Sequence, residues 1–509
     1  MALDLDTVGG LCRALLPEII LTVWAMALLL DAAWHHRDPR AQRRAGRLAL
    51  PGLALAAAAV VWLWVSGAVP AGLATSVVLD KFRFAVDLIV LLAAALTVLF
   101  SLDYLEREQI RIPEYYALVL FAAVGMMLLA GGEDLFVIFL GLELMSVSVY
   151  VLSGLDRRSP VGGEAALKYF LLGAFASAFF LYGIALLYGA TGTTKLSLIA
   201  RQIGPLHLTT HPMLLAGMAL LFIGFGFKVA AVPFHMWTPD VYDGAPTPVT
   251  AFMATGVKAA AFAALARVLL EAFGDPQVHV VWEQVLWWLA AVTMVVGNLV
   301  ALAQRSLKRM LAYSSIAHAG YLLTALVGGS LQGAAAFLIY LLFYTLMTMG
   351  AFAILTMKGR QGERDVTADD LAGLAETHPW LAFAMAVCML SLLGFPGTGG
   401  FIGKWYILSA ATGGGYGVLA ALLVLTSVVS AGYYLPVIMA MYMKPRAYDQ
   451  AHANVRIPRL AGATLAVMVA ALLAFGLWPN PLLDAARTGS HAFLPPGVAT
   501  IAAPVQAAN

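Results

Sequence analysis

The chain has 509 residues, 61% of them hydrophobic and only 11% charged. A soluble globule carries about 25% charged residues, so an ordinary soluble domain is excluded. The formal net charge of +2 says little in total and much in its placement, and the two cysteines, Cys12 and Cys388, lie in or beside apolar runs that suggest neither a disulfide framework nor a metal site.

The apolar residues come in blocks of about 20, long enough to cross about 30 Å of hydrocarbon. They predict an all-α polytopic membrane protein of about 14 spans. The predicted spans are 12–31, 48–66, 84–102, 114–131, 134–154, 164–189, 213–233, 247–271, 279–302, 308–328, 331–357, 379–411, 416–443 and 459–477. Asp4 and Asp6 precede the first apolar run without a basic region, so no cleavable signal is expected there, and no lipid-anchor motif is present. The longest polar stretches, near 358–379 and 444–459, are too short to fold as separate domains.

Cytoplasmic loops carry an excess of Lys and Arg. The loop after span 1 holds Arg37, Arg40, Arg43, Arg44 and Arg47. Those after spans 3 and 5 hold Arg107, Arg111, Arg157 and Arg158. Those after spans 9, 11 and 13 hold Arg305, Lys308, Arg309, Lys358, Arg360, Arg364, Lys444, Arg446, Arg456 and Arg459. The opposite side holds only Arg13, Lys81, Arg83, Lys195, Arg201 and Arg487. The odd-numbered loops are therefore expected in the cytoplasm and both termini outside.

The stretch from Gly224 to Lys258 reads as the end of one membrane helix, a short loop and the start of the next. Lys228 and Lys258 lie inside apolar sequence, where a charge costs roughly 2.5–3.5 kcal/mol by insertion scales. Pro233 clashes with the carbonyl of Val229 and opens the helix beside Lys228. Five spans later, span 12 carries Lys404 and is interrupted around Gly394, Pro396, Gly397, Gly399, Gly400 and Gly403. A five-span unit repeated once must be inverted, and broken helices at matching places point to a transport site. The expected division is a three-helix segment at 1–106, a first repeat at 107–275 (spans 4–8), a second at 276–445 (spans 9–13), and a terminal helix and tail at 446–509.

Glu143 lies about nine residues into span 5, near mid-membrane. Ser146 and Tyr150 follow at i+3 and i+7. An acid there marks a proton or ion path, or else a structural bond to a neighbouring helix. Lys228, Lys258 and Lys404 are either carriers on the same path or snorkelling amines. Thr250 and Thr255 share a face with Lys258, and Lys168, one turn past Glu164, is expected to snorkel. Burial and a nearby carboxylate pull a lysine's proton affinity in opposite directions, so such an amine can change protonation near neutral pH. The expectation is that Lys228 holds its proton when Glu143 approaches and loses it when Glu143 withdraws. His318, with Ser314, Ser315 and Tyr321 around it, suits a proton relay or a structural bond. Tyr340, Tyr344 and Thr348 form a stripe on span 11 that lines water or packs; Tyr344 is a candidate relay. His235, close behind Pro233, is a second candidate relay near the cytoplasmic mouth. His35 and His36 read as a solvated face.

The phosphate-binding glycine spacing is absent, and no Cys or Cys/His cluster fits iron–sulfur or zinc. Moving one charge against 100 mV costs about 2.3 kcal/mol. The sequence shows no means of drawing that energy from a fuel, so the work must come from a partner or another gradient.

FGFKVAAVPFHMWTPDVYDGAPTPVTAFMATGVKAAAFAALAR resembles the signature of the antiporter-like subunits of complex I, the proton-pumping NADH:quinone oxidoreductase. EAALKYFLLGAFASAFFLYGIALLYGATGT and AYSSIAHAGYLL are similar to the same family, and the likeness spans most of the chain. It implies two inverted five-helix repeats around a central hydrated axis. It aligns Glu143 with the family's span-5 acid, Lys228 with its span-7 lysine, Lys258 with the bridging lysine and Lys404 with the span-12 terminal residue. Within the family, subunit M has a glutamate at that last place and subunit L ends in a long lateral helix. Here the residue is lysine and little follows Trp478, so the remaining branch is expected. The resemblance implies a proton-translocating, non-redox membrane-arm subunit in a bacterial inner membrane. It implies NADH, FMN, iron–sulfur clusters and quinone in other subunits, none in this chain. The implied partners are subunit M, the small subunits K, J, A and H, and lipids, with no nucleic acid. Two other readings stand beside it: a subunit of the multi-subunit sodium/proton antiporters, and a purely structural membrane scaffold.

Overall fold

The computed structural model describes residues 5–35, 38, 40–67, 76–358, 366–445 and 457–491, with side chains from residue 9 onward. The residues His36, Arg37, Arg360, Arg364, Arg446 and Arg456 lie outside this description. Among the described residues the fold is helical, with only isolated bridges between extended segments.

The spans appear in the order predicted. Spans 1 to 4 are Leu16–Trp34, Ala41–Ser66, Lys81–Arg107 and Glu114–Gly131. Spans 5 to 7 are Leu135–Ser153, Pro160–Thr191 and Pro212–Val229. Span 8 is Thr247–Ala272, followed by span 9 (Pro276–Ala301), span 10 (Leu307–Leu326) and span 11 (Leu331–Lys358). Span 12 is split into Pro379–Leu393 and Gly399–Gly413; spans 13 and 14 are Gly417–Met443 and Arg459–Leu477. Twelve described helices are long and apolar enough to cross a membrane. The other two predicted spans explain themselves. Span 10 opens on Lys308 and Arg309, and the halves of span 12 have 15 residues each, about 22 Å at the helical rise and too short alone.

Span 8 is wholly buried and span 11 is 94% buried, whereas spans 1, 2 and 14 are a third buried. Spans 8 and 11 therefore run through the centre, shielded from lipid by the rest. Their central place follows from side-chain size: the KAAAFAALA run of span 8 lets neighbouring backbones close in. Two outer pairs approach on glycine. A Cβ on Gly125 of span 4 would strike the Met145 amide of span 5. One on Gly297 of span 9 would lie 2.5 Å from the Ala317 amide of span 10. Spans 4–5 and 9–10 are the opening pairs of the two predicted repeats, so the glycine contact recurs where a repeat requires it.

The breaks also recur. Span 7 ends in Ala230 at φ 59°, and the first half of span 12 ends in Gly394 at φ 87°. Alanine holds that left-handed conformation at a cost of roughly 1–2 kcal/mol, which glycine avoids. Span 7 stops at Val229, the carbonyl with which Pro233 would clash, rather than at 233 as predicted. The loop predicted before span 8 contains a short helix, Thr238–Gly244, started by Pro239 in its first turn.

Candidate functional site

Lys228, Lys258 and Lys404 are 1%, 1% and 6% exposed. They do not snorkel; each turns into the helix bundle. Lys228 Nζ donates to Ser146 Oγ at 2.7 Å and Tyr150 OH at 3.2 Å. It also sits 5.1 Å from the ring centre of Tyr150 and 5.6 Å from those of Tyr169 and Phe227. The polar stripe read on span 5 is thus the face that receives Lys228.

Glu143 is found apart from Lys228. It does not pair with Lys228; its Oε1 accepts from Ser177 Oγ of span 6. Glu143 shares the stripe of Ser146 and Tyr150 but is half-buried, at the edge that also carries exposed Leu140 and Val147, and there it meets span 6. Lys168, its side chain 41% exposed, is paired with Glu164 at 2.6 Å and Asp240 at 2.8 Å. Thr250 and Thr255 bond back to carbonyls and take no part at Lys258.

Lys258 Nζ donates to the Ser315 carbonyl at 2.7 Å and to Ser315 Oγ at 2.5 Å. Ser315 Oγ also accepts from Tyr344 OH at 2.8 Å. One turn along span 10, His318 Nδ1 meets Tyr340 OH at 2.5 Å and its Nε2 meets Tyr434 OH at 3.2 Å. Tyr434 also bonds Ser314. Tyr340 and Tyr344 are therefore hydrogen-bonded members of the cluster, beyond packing, whereas the Thr348 hydroxyl has no partner. Past His318, the Tyr321 ring lies 5.3 Å from the imidazole and has Lys404 Nζ 4.7 Å from its centre. Lys404 Nζ donates to the Leu393 carbonyl at 2.9 Å and to Ser427 Oγ at 3.2 Å. That carbonyl is free because Gly394 ends the helix just beyond it.

Between Lys228 and Lys258 stands Tyr242, on the short helix that the sequence did not reveal. It is fully buried, packs edge-on against Trp237 at 6.0 Å, and has Ser315, Tyr344 and Tyr169 as neighbours. Trp237 holds it in place, stacked on Tyr169 at 4.4 Å and donating to the Phe227 carbonyl at 3.0 Å. His235 lies apart, half-buried, with Nδ1 unpaired; burial pushes its imidazole below its usual range. A cavity of about 640 Å³ reaches Tyr150 from a rim that holds Glu114 and Arg157. Ser177, Tyr434, Ser427 and Tyr242 were not singled out from sequence. Tyr434 and Ser427 sit one and three positions from Tyr433 and Ser430 in a polar stripe along span 13, a pattern that was readable.

The chain matches the family described as "NADH:quinone oxidoreductase/Mrp antiporter, TM" over residues 132–430. It is 48% identical over 500 residues to NADH-quinone oxidoreductase subunit N of Gemmatimonas aurantiaca, covering 95% of this chain and 94% of the relative. It is also 48% identical to the subunit N of Trichlorobacter lovleyi, covering 93% and 96%. Among solved structures it resembles a chain of respiratory complex I from Thermus thermophilus with bound Aureothin. That match has 40% identity, a TM-score of 0.78, and covers 93% of this chain and 100% of the other. A chain of the Mrp complex from Dietzia sp. shares the fold at 22% identity and a TM-score of 0.82, covering 96% and 99%. With lysines buried at the span breaks and these relatives along nearly its whole length, the chain belongs to the NADH-quinone oxidoreductase subunit N family, within the antiporter-like membrane proteins.

Proposed function

We propose that this membrane-arm subunit moves protons along a row formed by Lys228, Tyr242, Lys258, Ser315, His318 and Lys404. Redox chemistry in partner subunits supplies the work. One observation carries the reading: three lysines are buried inside the bundle, each within hydrogen-bond distance of a serine hydroxyl. A buried ammonium is expensive and persists where its charge is used. Hydroxyls can donate or accept, so they support an amine in either protonation state. The cavity that touches Tyr150 offers water a way toward Lys228 from the Arg157 side, the predicted cytoplasmic side. Glu143, bonded to Ser177 near an exposed apolar face, would act on the row from the side of a neighbouring subunit.

NADH, flavin, iron–sulfur clusters and quinone would be held by other subunits, and the partners would include subunit M and the small subunits K, J, A and H. The membrane would be the bacterial inner membrane, with both termini periplasmic. The sodium/proton antiporter reading rests on a fold-level likeness alone, and the relatives at 48% identity favour the respiratory one.

The test is proton pumping by the assembled complex in proteoliposomes. Lys228→Ala and Glu143→Ala should each abolish pumping while the complex still assembles. Native pumping in both would overturn the proposal.

A further inference from the structure

A second buried ionic cluster lies away from the lysine row, where span 1 begins, span 3 begins and span 8 ends. Span 1 gives Glu18; span 3 gives Arg83 and Asp87, one turn apart. Arg83 and Asp87 are 0% exposed and Glu18 is 3% exposed. Arg83 Nη2 donates to Glu18 Oε1 at 2.5 Å, and its Nε lies 3.2 Å from Asp87 Oδ2. Neither Asp87 oxygen accepts a hydrogen bond, and Glu18 Oε2 accepts none. Beside this cluster, Arg267 of span 8 contacts Asp80 at 2.9 Å and Glu271 at 2.5 Å.

The charges do not balance. One guanidinium faces two carboxyl groups in the first cluster, and one faces two in the second. The charged neighbours of Asp87 are Arg83, Glu18 and Asp80; those of Glu271 are Arg267, Glu133 and Asp80. An uncompensated buried anion costs several kcal/mol. One proton on the Glu18–Asp87 pair removes that charge and supplies a donor where acceptor atoms now lack one.

The carboxyl groups grow more exposed in one direction, and in the other a single helix ties the cluster to the lysine row. Side-chain exposure rises from 0% at Asp87 through 4% at Glu18 to 21% at Asp80 and Glu271. Inward, the α-helical segment Lys258–Arg267 joins the cluster to the lysine row, about 13 Å by helical rise. Single π-helical turns flank that segment, Met253–Val257 before it and Val268–Ala272 after it. Such turns inside α-helices recur at functional sites.

We propose that Glu18, Arg83 and Asp87 form a proton-holding site that receives protons from Lys258 and releases them through Asp80 and Glu271 to the outer side. This rests on Lys258 carrying protons. In the transfer the Lys258 ammonium becomes an amine and a carboxylate becomes a carboxylic acid; no electron moves.

Infrared difference spectroscopy on the assembled complex tests the held proton directly. The native protein should show the carbonyl stretch of a protonated carboxyl group that shifts in heavy water. Asp87→Asn or Glu18→Gln should remove it. Should neither amide variant assemble, the charge-conserving Asp87→Glu should move the band instead. A spectrum in which no variant removes or moves such a band overturns the proposal. In proteoliposomes, Asp87→Asn should at least halve the protons moved per NADH, with Asp87→Glu retaining most of them; a native ratio in Asp87→Asn overturns the transfer. Lys258→Ala separates the two ideas: native pumping there sinks the lysine row, whereas the band stands or falls on the Asp87 and Glu18 variants.

Discussion

Replacing Ser315 with alanine removes one hydroxyl from the centre of the row and leaves the backbone in place. That hydroxyl accepts from Lys258 Nζ at 2.5 Å and from Tyr344 OH at 2.8 Å. A hydrogen bond to a charged group contributes roughly 1.5–3 kcal/mol, and a buried hydroxyl left without a partner costs roughly 1–3 kcal/mol. Lys258 keeps the Ser315 carbonyl at 2.7 Å, so the amine stays seated and the bundle should still assemble. If the proton passes through this hydroxyl, most of the lost interaction appears in the transfer barrier. A rise of about 1.5–3 kcal/mol slows transfer roughly ten- to hundredfold. The assay is NADH–quinone turnover and lumen acidification in proteoliposomes holding the variant complex. Ser315→Ala should lose pumping on that scale, and Ser315→Thr, which keeps the hydroxyl, should restore most of it. Native pumping by Ser315→Ala would refute the route.

Tyr242→Phe removes the hydroxyl beside Ser315 and keeps the ring, so the complex should still assemble while pumping falls; unchanged pumping would remove Tyr242 from the row. Gly297→Val should force spans 9 and 10 apart, since even a Cβ there lies 2.5 Å from the Ala317 amide. Overpacking of this kind costs roughly 1–3 kcal/mol and should show as reduced assembly on native gels. Burial pushes the Asp240 carboxyl up, but hydrogen bonds from Lys168 and Arg309 outweigh it and hold the group below its usual range. A lowered acid contributes stability above its unfolded value and loses it as pH falls through the folded one. The stability difference between native and Asp240→Asn should therefore begin to shrink as pH falls through about 4 and go on shrinking below it. With side chains this exposed it should amount to about 1 kcal/mol or less at neutral pH. A difference that grows on acidification would contradict the assignment.

Much of the architecture was legible because lipid imposes simple rules. Span length, the proline at 233 and the glycine run at 394–403 gave the helices and both breaks. The charged residues were legible for the same reason: Lys228, Lys258 and Lys404 have no ordinary reason to stand in apolar sequence. Their partners were not, because a membrane helix offers no amphipathic period to say which side faces in. Ser146 and Tyr150 were seen beside Glu143, and the natural inference paired Glu143 with Lys228. In the structure Lys228 takes the two hydroxyls of that stripe, and the acid bonds Ser177 of span 6. The helix holding Tyr242 was hidden by brevity: seven residues between prolines carry no periodic signal. The cluster at Arg83 was hidden by its place near a span end, where charges read as solvated.

The two broken spans use the same device to different ends. At span 12 the break frees the Leu393 carbonyl, and Lys404 returns from the second half to take it. A carbonyl only accepts, so it favours the ammonium. At span 7 two of the carbonyls freed by the break are already taken. Gly226 accepts from Ala231, and Phe227 from Ala230 and the Trp237 indole. Lys228 is left with two hydroxyls and three ring faces. Rings attract the cation, but either hydroxyl can turn and donate to a neutral amine. Lys258, like Lys404, holds one carbonyl and one serine hydroxyl. Of the three, Lys228 is the one held by side-chain hydroxyls alone, and it stands beside the cavity that reaches Tyr150. A row that meets a cavity at its Lys228 end, and seats Lys258 and Lys404 against carbonyls, has two unlike ends written into its hydrogen bonds.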